Sequence, residues 1–156
     1  MNLKSELEAV VDALSKDGVG FALCGGIAVT VHGAPRFTKD IDLLIRQAEL
    51  AAALAAARTV GFDLAAAPMC FDAGGPRERT IHRVSKVEGD QVLTLDLLLV
   101  EPAFNEVWNS RVWVEWEGRR VPVVSKAGLV QMKRLAGRDQ DLVDIKSLES
   151  GSSDGG

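Results

Sequence analysis

The chain has 156 residues, of which 47% are hydrophobic and 26% are charged, and its formal net charge is −4 at pH 7. This length and composition are typical of a soluble globular protein, and they predict one domain over residues 1–150 with a disordered tail over residues 151–156. The acidic balance argues against a protein that coats nucleic acid with its whole surface, but it allows a local basic groove. Since no apolar run is long enough to span a bilayer and the N-terminus lacks an apolar signal core, we expect a cytoplasmic protein that does not contact the membrane.

The sequence alternates between helical and strand-like segments. Apolar residues at helical spacing predict an amphipathic first helix over residues 3–16. The predicted elements that follow are strand 19–24, helix 26–32, strand 40–45, helix 47–59, strand 62–66, loop 68–77, a hairpin of strands 80–87 and 92–100, a short helix 102–110, a second hairpin of strands 111–116 and 119–124, and two C-terminal helices, 126–136 and 139–148.

The cysteines and tryptophans are expected to be structural. Cys24 and Cys70 are too few for a disulfide framework and have apolar neighbours, so we predict two buried thiols, and no Cys or His cluster indicates zinc. Trp113 is expected in the core, with Trp108 and Trp116 at its edge. The alternation of apolar and other residues in the second hairpin, over residues 111–124, fits packing of a sheet better than stacking of the tryptophans on bases.

Two acids lie in the strand-like run DIDLLI. Side chains alternate between the faces of a strand, so Asp40 and Asp42 point the same way, about 7 Å apart along the chain. Their mutual repulsion is relieved by a cation or by a raised pKa of one carboxyl group. Oxygen ligands of this kind suit a hard ion such as Mg²⁺, which keeps waters and takes substrate phosphates as further ligands.

A pair of glycines precedes these acids. Gly25 and Gly26 lie where the strand 19–24 ends and the next helix begins. Glycine allows an anion to approach the backbone closely, and the free N–H groups of a helix start favour negative charge. The glycine pair therefore predicts a phosphate-binding turn near the two carboxylates.

The run LCGGIAVTVHGAPRFTKDIDLLI combines both features and resembles the polymerase-beta-like nucleotidyltransferase superfamily, whose signature is Gly-Gly or Gly-Ser, a spacer and then Asp-x-Asp or Asp-x-Glu. Within it, the run is most similar to small bacterial proteins related to abortive-infection toxins of the AbiEii type. The resemblance implies an α+β nucleotidyltransferase fold, a mixed twisted sheet flanked by helices with a C-terminal helical pair. It also implies transfer of a nucleoside monophosphate from a nucleoside triphosphate (NTP) to a hydroxyl of RNA, tRNA or protein, two Mg²⁺ ions (or Mn²⁺), and an antitoxin-like protein partner.

A third acid, Asp96, stands alone in the apolar run LTLDLLLV. A buried carboxylate costs several kcal/mol unless it is paired or bound to a metal. The resemblance implies that Asp96 joins Asp40 and Asp42 as metal ligand and catalytic residue, next to the acceptor hydroxyl. The alternative is that Asp96 faces solvent on the sheet surface.

The resemblance also implies several nucleotide-binding residues. Gly25 and Gly26 would offer backbone N–H groups to the terminal phosphates, although many relatives have Ser in place of Gly26. Arg36 and Thr38 match the pattern Arg-x-Thr/Ser-x-Asp-x-Asp, in which Arg36 either binds phosphate or holds Asp42.

The remaining basic residues have less defined roles. Lys133 is the expected triphosphate contact; it shares a helical face with Lys126, and an ion pair with Asp141 or Asp144 is the alternative. The same C-terminal pattern of the resembled proteins includes Lys126, Arg138 and these two acids. Arg79 and Arg83 share one face of their strand and either reach a phosphate or nucleic acid, or form a solvated edge. His32 is expected either to bond to backbone carbonyls or to touch substrate.

Two alternatives to the enzyme stay open. In one, the same fold has lost turnover and serves as a module that binds nucleotide or a protein partner; the short chain and Gly26 favour it. In the other, the protein is a general α/β domain with Asp40 and Asp42 on its surface.

Overall fold

The structure, a computed structural model, describes residues 1–33, residues 38–136 and five separate positions near the C-terminus: Val143, Ile145, Lys146, Leu148 and Glu149. Its α-helices are α1 (Leu3–Lys16), α2 (Gly25–Val31), α3 (Leu50–Thr59), α4 (Asn105–Asn109) and α5 (Lys126–Ala136). Its strands are β1 (Ala22–Cys24), β2 (Asp40–Ile45), β3 (Leu64–Ala65), β4 (Met69–Phe71), β5 (Arg79–Glu88), β6 (Gln91–Leu99), β7 (Val112–Trp116) and β8 (Arg119–Val123).

The eight strands form one mixed sheet in the order β3-β5-β6-β2-β1-β8-β7, with β4 paired to β5 beside β3. The pairs β2–β6 and β1–β8 are parallel, and the others are antiparallel. β2 lies between β1 and β6 and is apolar at four of its six positions, as expected for a strand buried inside a sheet. The predicted mixed sheet flanked by helices is confirmed.

Helix α1 shows how the sequence pattern produces the core. The Asn2 side chain accepts a hydrogen bond from the Ser5 backbone N–H at 3.1 Å and so caps the first turn. The apolar residues of α1 recur at helical spacing and form one buried stripe: Leu7, Val10, Val11 and Leu14. On the flank of the helix, Lys86 Nζ on β5 donates to Glu6 Oε2 at 2.9 Å, which ties α1 to the sheet.

Two of the tryptophan predictions are wrong. Trp108 is 6% exposed and belongs to the core, whereas Trp113 is 53% exposed. The reason is topological, because β7 is the last strand in the sheet order and the alternation of a strand does not say which face is covered. Trp116 is partly buried.

The segment predicted as a loop over residues 68–77 contains the short strand β4. Pairing of β4 with β5 places Cys70 opposite Thr80 at the sheet margin, and its thiol is exposed, contrary to the prediction. Cys24 is buried, as predicted. The second C-terminal helix, predicted over 139–148, lies mostly outside the described residues.

Among the residues that the structure describes, none of the helices combines the length and the apolar character needed to cross a membrane.

Candidate active site

Four residues form a row across the centre of the sheet. Cys24 on β1 is paired with Asp42 on β2, Asp42 with Asp96 on β6, and Asp96 with Arg83 on β5. Residues opposite each other on neighbouring strands point to the same face, with strands about 4.8 Å apart. The two carboxylates predicted from separate parts of the sequence therefore lie side by side.

Arg83 holds the Asp96 carboxylate through two hydrogen bonds. Arg83 Nε donates to Asp96 Oδ1 at 2.8 Å, and Arg83 Nη2 donates to Asp96 Oδ2 at 3.0 Å. The Asp96 side chain is only 9% exposed, whereas that of Arg83 is 41% exposed. This paired geometry satisfies both oxygens of a buried carboxylate, so the solvent-facing alternative for Asp96 is wrong.

All three acids influence the pKa of the Arg83 guanidinium. The hydrogen bond to Asp96 raises the pKa of the Arg83 guanidinium, and partial burial opposes this effect. The negative charges of Asp96, Asp40 and Asp42 raise that pKa further. Arg83 is thus a cation that pairs with Asp96 on the side of β5, a role that neither of its predicted alternatives included.

Asp42 lies directly against the Gly25 backbone. Gly25 has a φ of +64°, and a Cβ placed on it would come within 2.1 Å of Asp42 Oδ2. A side chain at position 25 would occupy the space of the carboxylate, so glycine is required there by both backbone conformation and packing. Gly26 follows as a buried residue of α2.

The Cys24 thiol is an uncharged neighbour of the carboxylates. Burial raises its pKa well above the ordinary range, and the negative charge of Asp42 adds to the effect. The positive charge of Lys133, which lines the same cavity as Cys24, lowers this pKa. A thiol kept protonated in this way is a poor nucleophile and serves as an apolar packing residue.

Asp40 begins β2 and is exposed, two residues before Asp42 on the same face of the strand. The Thr38 hydroxyl donates to the Asp40 carbonyl oxygen at 3.3 Å, so it supports the start of this strand.

A cavity of about 280 Å³ opens onto this row. Its polar lining residues are Gly25, Asp42, Arg79, Asp96 and Lys133, and its apolar lining residues include Ile81, Leu98, Phe104 and Leu129. Lys133 lies on α5, is 6% exposed and lines this cavity together with the two carboxylates, and its contact with a triphosphate stays a prediction.

The donor chemistry of the row fits a hard metal ion. Asp42 and Asp96 offer carboxylate oxygens in register, which are ligands that Mg²⁺ prefers. Within residues 1–33 and 38–136, no three His, Cys, Asp or Glu side chains are gathered closely enough to hold a metal ion. The two-ion site therefore stays a prediction, in which Asp40, Asp42 and Asp96 are the ligands.

Some predicted site residues lie elsewhere. Arg36, Arg138, Asp141 and Asp144 are outside the described residues. Lys126, the first residue of α5, does not line the cavity that Lys133 faces. His32 Nε2 lies 2.8 Å from the Val124 carbonyl oxygen, which is the predicted contact with the backbone.

Sequence reasoning missed three apolar residues that line the cavity, Phe71, Phe104 and Met132. For Phe71 the sequence did contain a signal, because this residue directly precedes the turn that contains Gly74-Gly75-Pro76. An apolar residue before such a turn is typical of a hairpin strand.

The model of the family described as "Nucleotidyl transferase AbiEii toxin, Type IV TA system" matches residues 8–145. The chain belongs to the AbiEii nucleotidyltransferase family. The match includes the glycine pair, all three acids and Lys133, and the prediction that the protein is a nucleotidyltransferase is confirmed at the level of the family. No curated protein sequence matches this AbiEii family member.

Solved structures of other nucleotidyltransferases share the fold of this AbiEii family member. The lincosamide antibiotic adenylyltransferase LnuA, solved with lincomycin, has 17% identity and a TM-score of 0.61, with 94% of this chain and 96% of that chain covered. A nucleotidyltransferase from Thermotoga maritima has 14% identity and a TM-score of 0.59, with 96% of each chain covered. ANT(2″)-Ia, solved with adenylyl-2″-tobramycin, has 13% identity and a TM-score of 0.55, with 92% of this chain and 86% of that chain covered.

Proposed function

We propose that this AbiEii family member transfers a nucleoside monophosphate from an NTP to a hydroxyl group at an RNA or tRNA end or on a protein. The observation that carries the proposal is the register of Asp42 with Asp96 beside a cavity that also contains Gly25 and Lys133. The family description as a toxin supports a macromolecular acceptor and an antitoxin-like protein that neutralises it. We place the reaction in the cytoplasm, where NTPs are available.

In the proposed reaction, the acceptor hydroxyl oxygen forms a bond to the α-phosphorus of the NTP. The bond between this phosphorus and the oxygen that bridges the α- and β-phosphates breaks, and pyrophosphate leaves. Asp42 and Asp96, with Asp40, would hold divalent cations, whose charge would stabilise the triphosphate and the acceptor oxygen. Lys133 pairs with triphosphate oxygens, and Asp96 or solvent receives the hydroxyl proton. Gly25 and Gly26, with Arg36 and Thr38, complete the expected nucleotide contacts.

A nucleotide-binding module without turnover is the second candidate. It is favoured by the paired Arg83–Asp96 contact, because both oxygens of the Asp96 carboxylate already accept hydrogen bonds. Isothermal titration calorimetry combined with a pyrophosphate assay distinguishes the two, since a module of this kind binds NTP and releases no pyrophosphate.

The transfer is tested by incubating the purified protein with MgCl₂, each of the four α-³²P-labelled NTPs and a pool of tRNA and cellular protein. We expect one NTP to label one class of acceptor. Asp42→Asn and Asp96→Asn should each lower the rate about 10²–10³-fold, which is the loss caused by removing one group that stabilises developing charge. Asp90→Asn is the matched control, because Asp90 is an exposed acid in the turn of the hairpin that carries Asp96.

Labelling at the wild-type rate by Asp42→Asn or Asp96→Asn would contradict the proposed roles of these acids. If the wild-type protein binds NTP but labels no acceptor and releases no pyrophosphate, the proposed transfer is wrong and the module without turnover is favoured.

A further inference from the structure

The cavity beside the carboxylates continues along β5 to a second, apolar end. Arg83 is paired with Asp96, and Ile81 with Leu98, two residues farther along both strands. Arg79 lies two residues beyond Ile81 on the same face, about 13 Å from Arg83 along the strand. Ile81, Leu98 and Arg79 all line the cavity, whereas its acidic lining residues, Asp42 and Asp96, are at the other end.

An exposed aromatic ring forms the rim of this apolar end. Phe71 is the last residue of β4 and is paired with Arg79, the first residue of β5. The Phe71 side chain is 43% exposed although it lines the cavity, and the Arg79 guanidinium lies 5.2 Å from the centroid of its ring. A phenyl ring and a guanidinium plane in contact are two flat surfaces on which a planar ligand can stack.

The turn between β4 and β5 holds this pair in place. Asp72, directly after Phe71, has a φ of +53°, a left-handed conformation that is unfavourable for a residue with a side chain. The turn is fixed by hydrogen bonds from Gly75 N to the Asp72 carbonyl at 2.9 Å and from Arg77 N to Asp72 Oδ2 at 2.8 Å. The backbone that carries Phe71 and Arg79 is therefore ordered before any ligand binds, which lowers the entropic cost of binding.

We propose that Phe71 and Arg79 form a stacking site for a nucleobase, which belongs either to the NTP or to the terminal nucleotide of a nucleic-acid acceptor. The inference rests on the proposed function, since a base at this end places its sugar and phosphate toward Asp42 and Asp96. The cavity volume of about 280 Å³ is at the small end of ligand sites and fits one nucleotide unit better than a longer segment. Stacking on Phe71 and apolar contact with Ile81 and Leu98 would bury the base, while Arg79 adds a cation–π contact.

The site is tested with binding rather than turnover. The first probe is α,β-methylene-ATP, which cannot be cleaved at the bond where transfer takes place, measured by calorimetry with MgCl₂. The second is an RNA trinucleotide that ends in 2-aminopurine, whose fluorescence is quenched when its base stacks. We expect Phe71→Ala and Phe71→Leu each to lower the affinity for one of the two probes about 5- to 150-fold, which is the range for losing one base–aromatic stack. Phe71→Trp should bind within about threefold of wild type, because it retains a flat aromatic surface.

Trp113→Ala is the matched control. Trp113 is 53% exposed and has the Arg120 guanidinium 5.6 Å from its ring centroid, so it forms a similar exposed pair on β7, the edge strand at the other end of the sheet. This variant should bind both probes as the wild type does. Because Phe71 is at the rim, its variants should fold, and circular dichroism with thermal unfolding checks this.

A loss confined to α,β-methylene-ATP assigns the base to the NTP, and a loss confined to the trinucleotide assigns it to the acceptor; both support the stacking site. The inference is overturned if Phe71→Ala binds both probes normally, if Phe71→Leu retains full affinity, if Trp113→Ala is equally impaired, or if the wild type binds neither probe. Failure of the proposed function looks different, because Phe71-dependent binding would then occur without transfer to any acceptor.

Discussion

At the scale of single residues, Asp96 decides most about this site. Its position in an apolar run predicts a buried carboxylate that needs a partner, and the structure supplies Arg83 as that partner at 2.8 and 3.0 Å. The sequence indicated that Asp96 needs a partner, but it did not indicate which residue this partner is. The reason is that the contact with Arg83 depends on the register of β5 with β6. Arg83 therefore stabilises the folded site and also fixes the direction of the Asp96 oxygens.

The first prediction concerns this contact. Arg83→Gln should lower the free energy of unfolding by about 1–3 kcal/mol, because it leaves a buried charged acceptor without its donors. Arg83→Lys should recover part of the loss, since lysine keeps the charge but cannot form two parallel hydrogen bonds. Unfolding in urea, followed by circular dichroism, measures both variants.

Arg134→Gln is the control for that measurement. Arg134 Nη2 and Glu149 Oε1 form an ion pair at 3.1 Å with side chains that are 65% and 57% exposed, so its removal should change stability by under about 1 kcal/mol. An equal effect of Arg83→Gln and Arg134→Gln would show that Asp96 does not depend on Arg83.

At the scale of elements, the junction of β1 and α2 builds the base of the site. The strand ends at Cys24, the chain turns through Gly25 with a φ of +64°, and the Asp42 carboxylate fills the space where a side chain would be. The glycine pair was correctly predicted to lie at a strand-to-helix turn near the acids. What the pattern did not predict is that Gly25 contacts Asp42 itself, which follows from the antiparallel pairing of β1 with β2.

The second prediction separates backbone conformation from packing at this junction. Gly89→Ala should cost about 1–2 kcal/mol, because Gly89 has a φ of +63° and open space around it. Gly25→Ala, at nearly the same φ, should cost distinctly more, since its methyl group would lie 2.1 Å from Asp42 Oδ2. Displacement of Asp42 should also weaken NTP binding in Gly25→Ala and not in Gly89→Ala, as measured by urea unfolding and calorimetry. Equal losses of stability in the two variants would contradict the close contact.

At the scale of the whole molecule, the order of the strands gathers the site from distant parts of the chain. Parallel pairing of β2 with β6 brings Asp42 next to Asp96, and the β4–β5 hairpin extends the same face toward Phe71. Helix α5 then covers this face with Leu129, Met132 and Lys133. Ligands that bind across these elements should therefore stabilise the entire fold.

The third prediction tests, by thermal unfolding, whether ligand binding stabilises the entire fold. NTP with Mg²⁺ at about one hundred times the dissociation constant should add about 2.7 kcal/mol to the stability of the native state. For a protein of this size, that corresponds to a rise in Tm of roughly 5–10 °C. EDTA should remove most of the rise, and Asp42→Asn should reduce it, whereas a rise unaffected by both would contradict a metal-dependent site at this carboxylate.

The sequence by itself determined the local features: the amphipathic α1, the glycine pair, the two acids that share a face of β2, and the membership of the AbiEii family that these motifs indicated. It determined them because helix and strand periodicity and turn chemistry depend on neighbours within a few residues. Only the tertiary structure decided that Arg83 pairs with Asp96, that Trp108 is buried and Trp113 is not, and that Phe71 and Arg79 face the same cavity. These outcomes depend on which strands become neighbours and which face is covered, and contacts between distant segments leave no mark on local periodicity.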